Sequence, residues 1–372
     1  MDGTPQAEGA PLSPLEFDAD GVPFSLPVDA WPSAFEGHVG AGTGEGSGWA
    51  RAILRFTRPD GSPVFGPAPL SPDSRRSKST VGRQYSIDDL PGEGAVSPAP
   101  PSDARADRVL AILRAEWSKR SDFVAVDHRR PGPSSLVEVS AAGRRWLGPT
   151  WDATGDSTGG LDVARPTTWS TGPSFDLAEW TFRRGATEVV RTVVLLKGRR
   201  QALLAEAVVG VTSGAGWSVA LDPGLVARPI ADVEGVMLGG GPGRPSARAL
   251  AIGLDRRSGR GSLEVRDGRL VLEDPQPSAR SWLPLLVSWE PTRDRKPVRW
   301  YPLTVSEQST ACPADVAFAV RVTWGSDDHL IIYRSLAAPA LRSFLGHQTS
   351  ARFLIGLFSK AGDVLPLVKL DA

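Results

Sequence analysis

His128 stands in the run Asp127-His128-Arg129-Arg130, one imidazole between a carboxylate and two guanidiniums. An aspartate beside a histidine can raise the imidazole pKa and fix a tautomer, which suits general acid or base work near neutral pH. The competing reading is a solvent-facing loop that the two arginines keep wet. Tyr333, in "DHLIIYRSL", is a second side chain able to move a proton. Lyase action on a uronate abstracts the proton α to its carboxylate, and Arg129 or Arg130 would supply the cation that holds that carboxylate.

Other chemistry has less pattern behind it. His38 lies in the Gly-rich "FEGHVGAGTGEGSGW", which lacks the Gly-Lys-Ser/Thr ending of a phosphate cradle. With His329 and His347 it completes four histidines in 372 residues, with no ligand spacing, so no metal and no cofactor is expected. No Gly-x-Ser-x-Gly elbow of a serine hydrolase occurs. Asp152 and Asp156 are the least arbitrary carboxylate pair for glycoside hydrolysis, and turn formation is the simpler account of them.

Tryptophan is in excess, 12 against 3 tyrosines. Indoles pack on the C–H faces of sugars, while neighbouring arginine and aspartate bind hydroxyls or carboxylates. Trp151 in "PTWDATGDSTGG" and Trp169 in "RPTTWSTGPS" occupy polar stretches. With Arg165, Asp152, Arg129 and Arg130 they form the expected glycan-binding set. On the competing view tryptophans fill broad sheet cores, Trp146, Trp180, Trp282, Trp289, Trp300 and Trp324 among them.

The elements that must position these residues read mostly as strands. The chain holds 40 glycines and 33 prolines, spread as turn punctuation, which favours many short strands. "ARAILRFTRPDGSPVFGPA" predicts a hairpin turning at Pro59-Asp60-Gly61, and "GSLEVRDGRLVLED" one turning at Asp267-Gly268. "TEVVRTVVLLKGRRQALLAEAV" is aliphatic enough for strands covered on both faces, reversing near Gly198. "DARADRVLAILRAEWSKRSD" predicts the one long helix, with Val109, Leu110, Ile112, Leu113 and Trp117 on one side and Asp103 or Asp107 at its start. "RVLAILRAEW" also alternates as a strand would. The expected fold is therefore mainly β, a large antiparallel β-sandwich of supersandwich type, in two packed units with one long helix and a few short ones. The expected divisions are an extension and first hairpin over 1–66, a Pro/Ser-rich linker over 67–105, and β units over 106–240 and 241–372.

Totals restrict the partners. Lys+Arg and Asp+Glu are 42 each, so the electrostatic footprint of a nucleic-acid or polybasic membrane binder is missing. No apolar run approaches the ~18 residues of a bilayer span. The opening "MDGTPQAEGAPLSPLEFDADG" shows no basic region ahead of an apolar core, and a cytoplasmic location is the expectation. The single Cys312 leaves no internal disulfide to form.

"AILRAEWSKRSDFVAVDHRRPGPSSLVEVSAAGRRWLGPTWD" resembles the start of the β-sandwich module of heparinase II/III-type polysaccharide lyases. In that family a strand leads into a His-x-His-x-Asp loop, and the next strand ends in a small-small-Gly turn, here "EVSAAGRR". The likeness runs over residues 107–210, more loosely through "EVVRTVVLLKGRRQALLAEAVVG". An ungapped register places the family's first histidine at Arg129, its second at Pro131 and its aspartate at Pro133. Proline neither ligates zinc nor carries a proton. The family also draws catalytic groups from a helical toroid that this chain has no room for. The resemblance thus implies a non-catalytic heparinase II/III-like sandwich, acting as a glycan-binding or protein-interaction module. Its alternatives are a lyase or hydrolase of an acidic polysaccharide using His128, and a structural partner subunit of a separately encoded enzyme.

Overall fold

The computed structural model describes residues 55–58, 62–66, 103–104, 109–116, 121–129, 134–153, 164–184, 187–210, 214–239 and 245–371. The chain divides into two units, Met1–Ala99 and Pro100–Ala372. In the first, Thr57 bridges Pro63 in antiparallel sense. Val64 N–H donates to the Phe56 carbonyl at 2.9 Å, so the chain reverses where a hairpin is expected. The turn residues Pro59, Asp60 and Gly61 lie outside the described residues.

The second unit is four antiparallel sheets. Across the first run β1 (Asp103–Ala104), β2 (Leu110–Arg114), β3 (Phe123–Asp127), β4 (Ser134–Ala141), β5 (Arg144–Ala153), β10 (Ala215–Leu221), β15 (Arg269–Asp274) and β14 (Ser262–Arg266). Across the second run β11 (Val226–Pro229), β12 (Gly235–Gly239), β13 (Ser246–Ala251), β16 (Arg280–Ser288), β9 (Gln201–Val209), β8 (Thr187–Leu196), β7 (Phe175–Arg184) and β6 (Arg165–Thr171). The third holds β17 (Val298–Leu303), β20 (Ala317–Trp324), β21 (Asp328–Ser335), β24 (Phe353–Phe358) and β25 (Val364–Leu370). The fourth holds β19 (Thr310–Ala311), β18 (Ser306–Glu307), β22 (Arg342–Phe344) and β23 (His347–Thr349). Strands from either side of residue 240 meet in both large sheets, β10 beside β15 and β9 beside β16.

Among the described residues three cores lie between the four sheets. Val189, Val193 and Leu195 of β8 face the first sheet, among Trp151, Trp217 and Val219. Val194 and Leu196 of the same strand face the third, among Val320, Ile332 and Phe353. Ile331, Tyr333 and Leu354 turn the other way, toward Phe344 of the fourth. Strand alternation sends successive side chains to opposite faces, so a strand buried on both must be apolar throughout. That is the reason for the composition of "TEVVRTVVLL" and "QALLAEAVV".

The long helix is not found, and among the described residues no helix reaches seven residues. Leu110–Arg114 is β2, buried at all five positions. Ala111 and Leu113 enter the first core, and Leu110, Ile112 and Arg114 occupy the opposite face. A strand covered on both sides shows an unbroken apolar run, which hydrophobic periodicity alone does not distinguish from a buried helix. In the second unit the described helical turns are the three-residue 3-10 segments Arg256–Ser258 and Pro291–Arg293. The hairpin between β14 and β15 turns on Asp267 and Gly268, both with positive φ, as a tight two-residue connection requires.

Candidate functional site

β8 and β9 each carry one charged residue facing the first sheet, Arg191 and Glu206, directly opposite one another in the register. Both are fully buried, and Arg191 donates to Glu206 Oε1 from Nε at 3.0 Å and from Nη2 at 2.5 Å. A charge leaves water at this depth only when paired and hydrogen-bonded. The third guanidinium nitrogen, Nη1, reaches the first sheet and donates to Ser135 Oγ of β4 at 2.7 Å. Ser135 Oγ in turn lies 2.5 Å from His128 Nδ1. The Ser135 hydroxyl oxygen thus accepts from Arg191 and also contacts Nδ1, as donor or as second acceptor according to the imidazole tautomer.

Aromatic rings enclose the chain of contacts. The His128 ring meets Trp180 edge-on at 4.8 Å, and the Arg191 guanidinium lies 4.2 Å from the Trp151 ring centroid and 5.0 Å from that of Phe182. His128 is only 6% exposed. Burial first, and the Arg191 charge second, hold its pKa well below the ordinary histidine value. The Asp127 carboxylate does not counter this. It is taken by Arg129, through the backbone N–H, Nε and Nη2 at 2.9, 2.9 and 2.7 Å. The expected Asp127–His128 pair is therefore replaced by a serine–histidine contact inside the first core. Such a pair resembles the start of a nucleophilic dyad, but a nucleophile needs an approach path, and both side chains are buried. What the arrangement does is fix the first sheet against the second.

The remaining predicted residues are dispersed. Tyr333 is fully buried between the third and fourth sheets, stacked on Phe344 at 5.2 Å, with Arg342 donating to its hydroxyl at 3.4 Å. The second and third sheets, with the core between them, thus part it from His128. Trp151 is fully buried under Arg191 and 5.1 Å from Trp217, so its expected exposure is corrected. Its place on the inward face of β5 is the cause. Asp152 is half-buried and paired with Arg269. Trp169 is half-buried at the margin of the first core. Arg130, Asp156, His38, Pro131 and Pro133 lie outside the described residues. Trp146, Trp180, Trp282, Trp289 and Trp324 are all buried. Among the described residues no three His, Cys, Asp or Glu side chains converge as metal ligands, and no helix is long and apolar enough to cross a membrane.

A second polar group ties the second sheet to the third. Glu179 of β7 accepts from Arg334 at 2.5 Å, from Arg352 at 2.5 Å and from Thr192 at 2.8 Å. Burial pushes this carboxyl up, but the two arginines outweigh it and hold the pKa below the usual glutamate value. Arg352 also reaches Thr168 of β6.

Beyond Glu179 the second sheet continues with less cover. Residues paired across antiparallel strands share a face. The row next to Glu179 is therefore Arg165, Thr181, Val190, Ala207 and Trp282, and the row after it Arg183, Glu188, Val209 and Arg280. Arg165 and Arg183 are exposed, while Thr181, Val190, Glu188, Val209 and Arg280 are half-buried. Among the described residues no ion pair holds Arg165, Arg183 or Arg280, whereas the arginines inside the layers are paired. Trp169 pairs with Ala178, whose side chain enters the first core, so Trp169 and Arg165 point to opposite faces of β6. Sequence reasoning missed Ser135, Arg191, Glu206, Glu179, Arg183 and Arg280. A single charge within an aliphatic strand, as in "VVRTVV" and "LLAEAV", was the available signal.

No family model matches the sequence, and no curated protein matches it. Among solved structures the chain is similar to heparinase III, with a TM-score of 0.42 and 11% identity over 61% of this chain. The chain spans 41% of the length of that protein. The relation is a distant structural resemblance.

Proposed function

We propose that the protein is a non-catalytic β-sandwich module that binds an acidic oligosaccharide on the open end of its second sheet. The observation that carries this reading is the set Arg165, Arg183 and Arg280, three guanidiniums on one face without ion pairs among the described residues. Arg183 and Arg280 lie three strand spacings apart, about 14 Å. Planar guanidinium groups recognise carboxylates and sulfates in bidentate fashion, and at that spacing they suit an extended chain bearing several such groups. Thr181 and Val190 between them offer a hydroxyl and an apolar surface to the sugar rings. The non-catalytic half of the reading rests on His128 and Tyr333, both enclosed in cores.

Calorimetric titration with an oligouronate, a sulfated oligosaccharide and a neutral oligosaccharide tests it. Binding of the acidic chains that weakens with added salt is expected. No heat from either acidic chain, or equal binding by the triple Arg165→Ala, Arg183→Ala, Arg280→Ala variant, would remove the reading. The rival lyase reading predicts growing unsaturated-uronide absorbance with the wild type and its loss in His128→Ala.

A further inference from the structure

The tips of two hairpins, Leu345–Gly346 between β22 and β23 and the turn at Gly362 between β24 and β25, border a cleft of about 440 Å3. His347, Gln348, Asp363 and Val364 line it. Among the described residues no hydrogen bond or ion pair engages any of these three polar side chains. Together they offer a carboxylate acceptor, an amide that both donates and accepts, and an imidazole. Burial first and Lys369 second lower the His347 pKa. Asp363 is the one acidic side chain of the lining.

The lip of the cleft carries an independent sign of use. Phe344 pairs with His347, so Leu345 and Gly346 form a two-residue turn with φ of 50° and 76°. Such turns favour Asn-Gly, because a left-handed conformation is costly for a residue with a bulky side chain. Leu345 accepts that cost while 39% exposed, so the core does not explain it. Local rules broken in this way cluster at ligand contacts.

We propose that this cleft binds a neutral polyhydroxy compound, a monosaccharide or short neutral saccharide. Asp363, Gln348 and His347 take its hydroxyls, and Leu345 covers its C–H face. Adjacent hydroxyls both donate and accept, which matches the mixed lining, and the carboxylate disfavours an anionic ligand. The site belongs to the third and fourth sheets and does not depend on the arginine face of the second.

The test is proton NMR of the histidine ring signals during titration with glucose, galactose, mannose, xylose and sorbitol. The His347 signals are assigned by loss in His347→Gln. A saturable shift of these signals with at least one compound is expected, weakened roughly tenfold or more in Asp363→Asn. Leu345→Asn, which suits the turn better, should raise thermal stability and still weaken binding, a combination that a purely structural role would not give. Arg183→Ala should bind as the wild type does. The proposal is overturned if no compound gives a saturable shift. It is equally overturned if Asp363→Asn and Leu345→Asn bind unchanged, or if Arg183→Ala abolishes the shift.

Discussion

Arg191 and Glu206 face one another across β8 and β9, fully buried, with two guanidinium nitrogens on one carboxylate oxygen. Glu206 Oε2 has no hydrogen-bond partner, nor has His128 Nε2 at the far end of the same chain of contacts. The pair is thus the anchored middle of a polar line through an otherwise apolar interface. Its third nitrogen reaches across to Ser135, making a pairing within one sheet into a tie between two.

Removing one partner should cost far more than removing both. Arg191→Met leaves a buried, uncompensated carboxylate and should lower unfolding free energy by about 3–5 kcal/mol. Arg191→Met with Glu206→Leu removes the charge problem and should recover most of that loss, leaving Ser135 and His128 to pair with each other. Urea denaturation of the two variants checks this. Equal losses in the single and double variants would place the cost in packing instead of charge.

The depressed pKa of His128 fixes the sign of a pH effect. The unfolded chain takes up a proton near pH 6.5 while the folded imidazole stays neutral. The folded state therefore keeps its full stability above that pH and loses it as pH falls, at up to about 1.4 kcal/mol per pH unit. His347 is depressed too and acts in the same direction. Denaturation midpoints between pH 8 and pH 5 should fall less steeply in His128→Gln than in the wild type, and the difference isolates His128.

The sheets were legible in the sequence where turn residues bounded alternating runs, as at Asp267-Gly268. β2 was not, because burial on both faces erases the two-residue period and leaves a run that suits a helix equally well. The site was harder still. Trp151 is flanked by polar residues in the chain, yet the alternation of β5 turns it into the first core. Arg191 and Ser135 meet at 2.7 Å although 56 residues separate them in the chain, and no local pattern records a contact between two sheets. Arg165 was singled out from sequence, but Arg183 and Arg280 join its face only through strand register.

Gly253 lies where the third sheet comes down on the second. Its φ is +89°, and an added Cβ would stand 2.6 Å from the Phe318 ring, which also packs on Trp282 at 5.5 Å. Gly253→Ala should therefore destabilise by about 1–3 kcal/mol through overpacking and a disfavoured backbone. Adding Phe318→Leu should return part of this by making room, a coupling that thermal melts of the single and double variants measure. Strict additivity would show that backbone conformation alone sets the cost.

The opposite orientations of Arg165 and Trp169 separate two ways for β6 to hold a saccharide. If the arginine face is the binding surface, Arg165→Ala and Arg183→Ala should each weaken an oligouronate several-fold and flatten the salt dependence of binding, since each removes a cation from the contact. Trp169→Ala should leave that affinity unchanged, because its indole turns toward the first core. The intrinsic fluorescence of the wild type should accordingly respond little to the ligand at Trp169. The reverse pattern, with affinity lost in Trp169→Ala and kept in both arginine variants, would move the site to the other side of the strand.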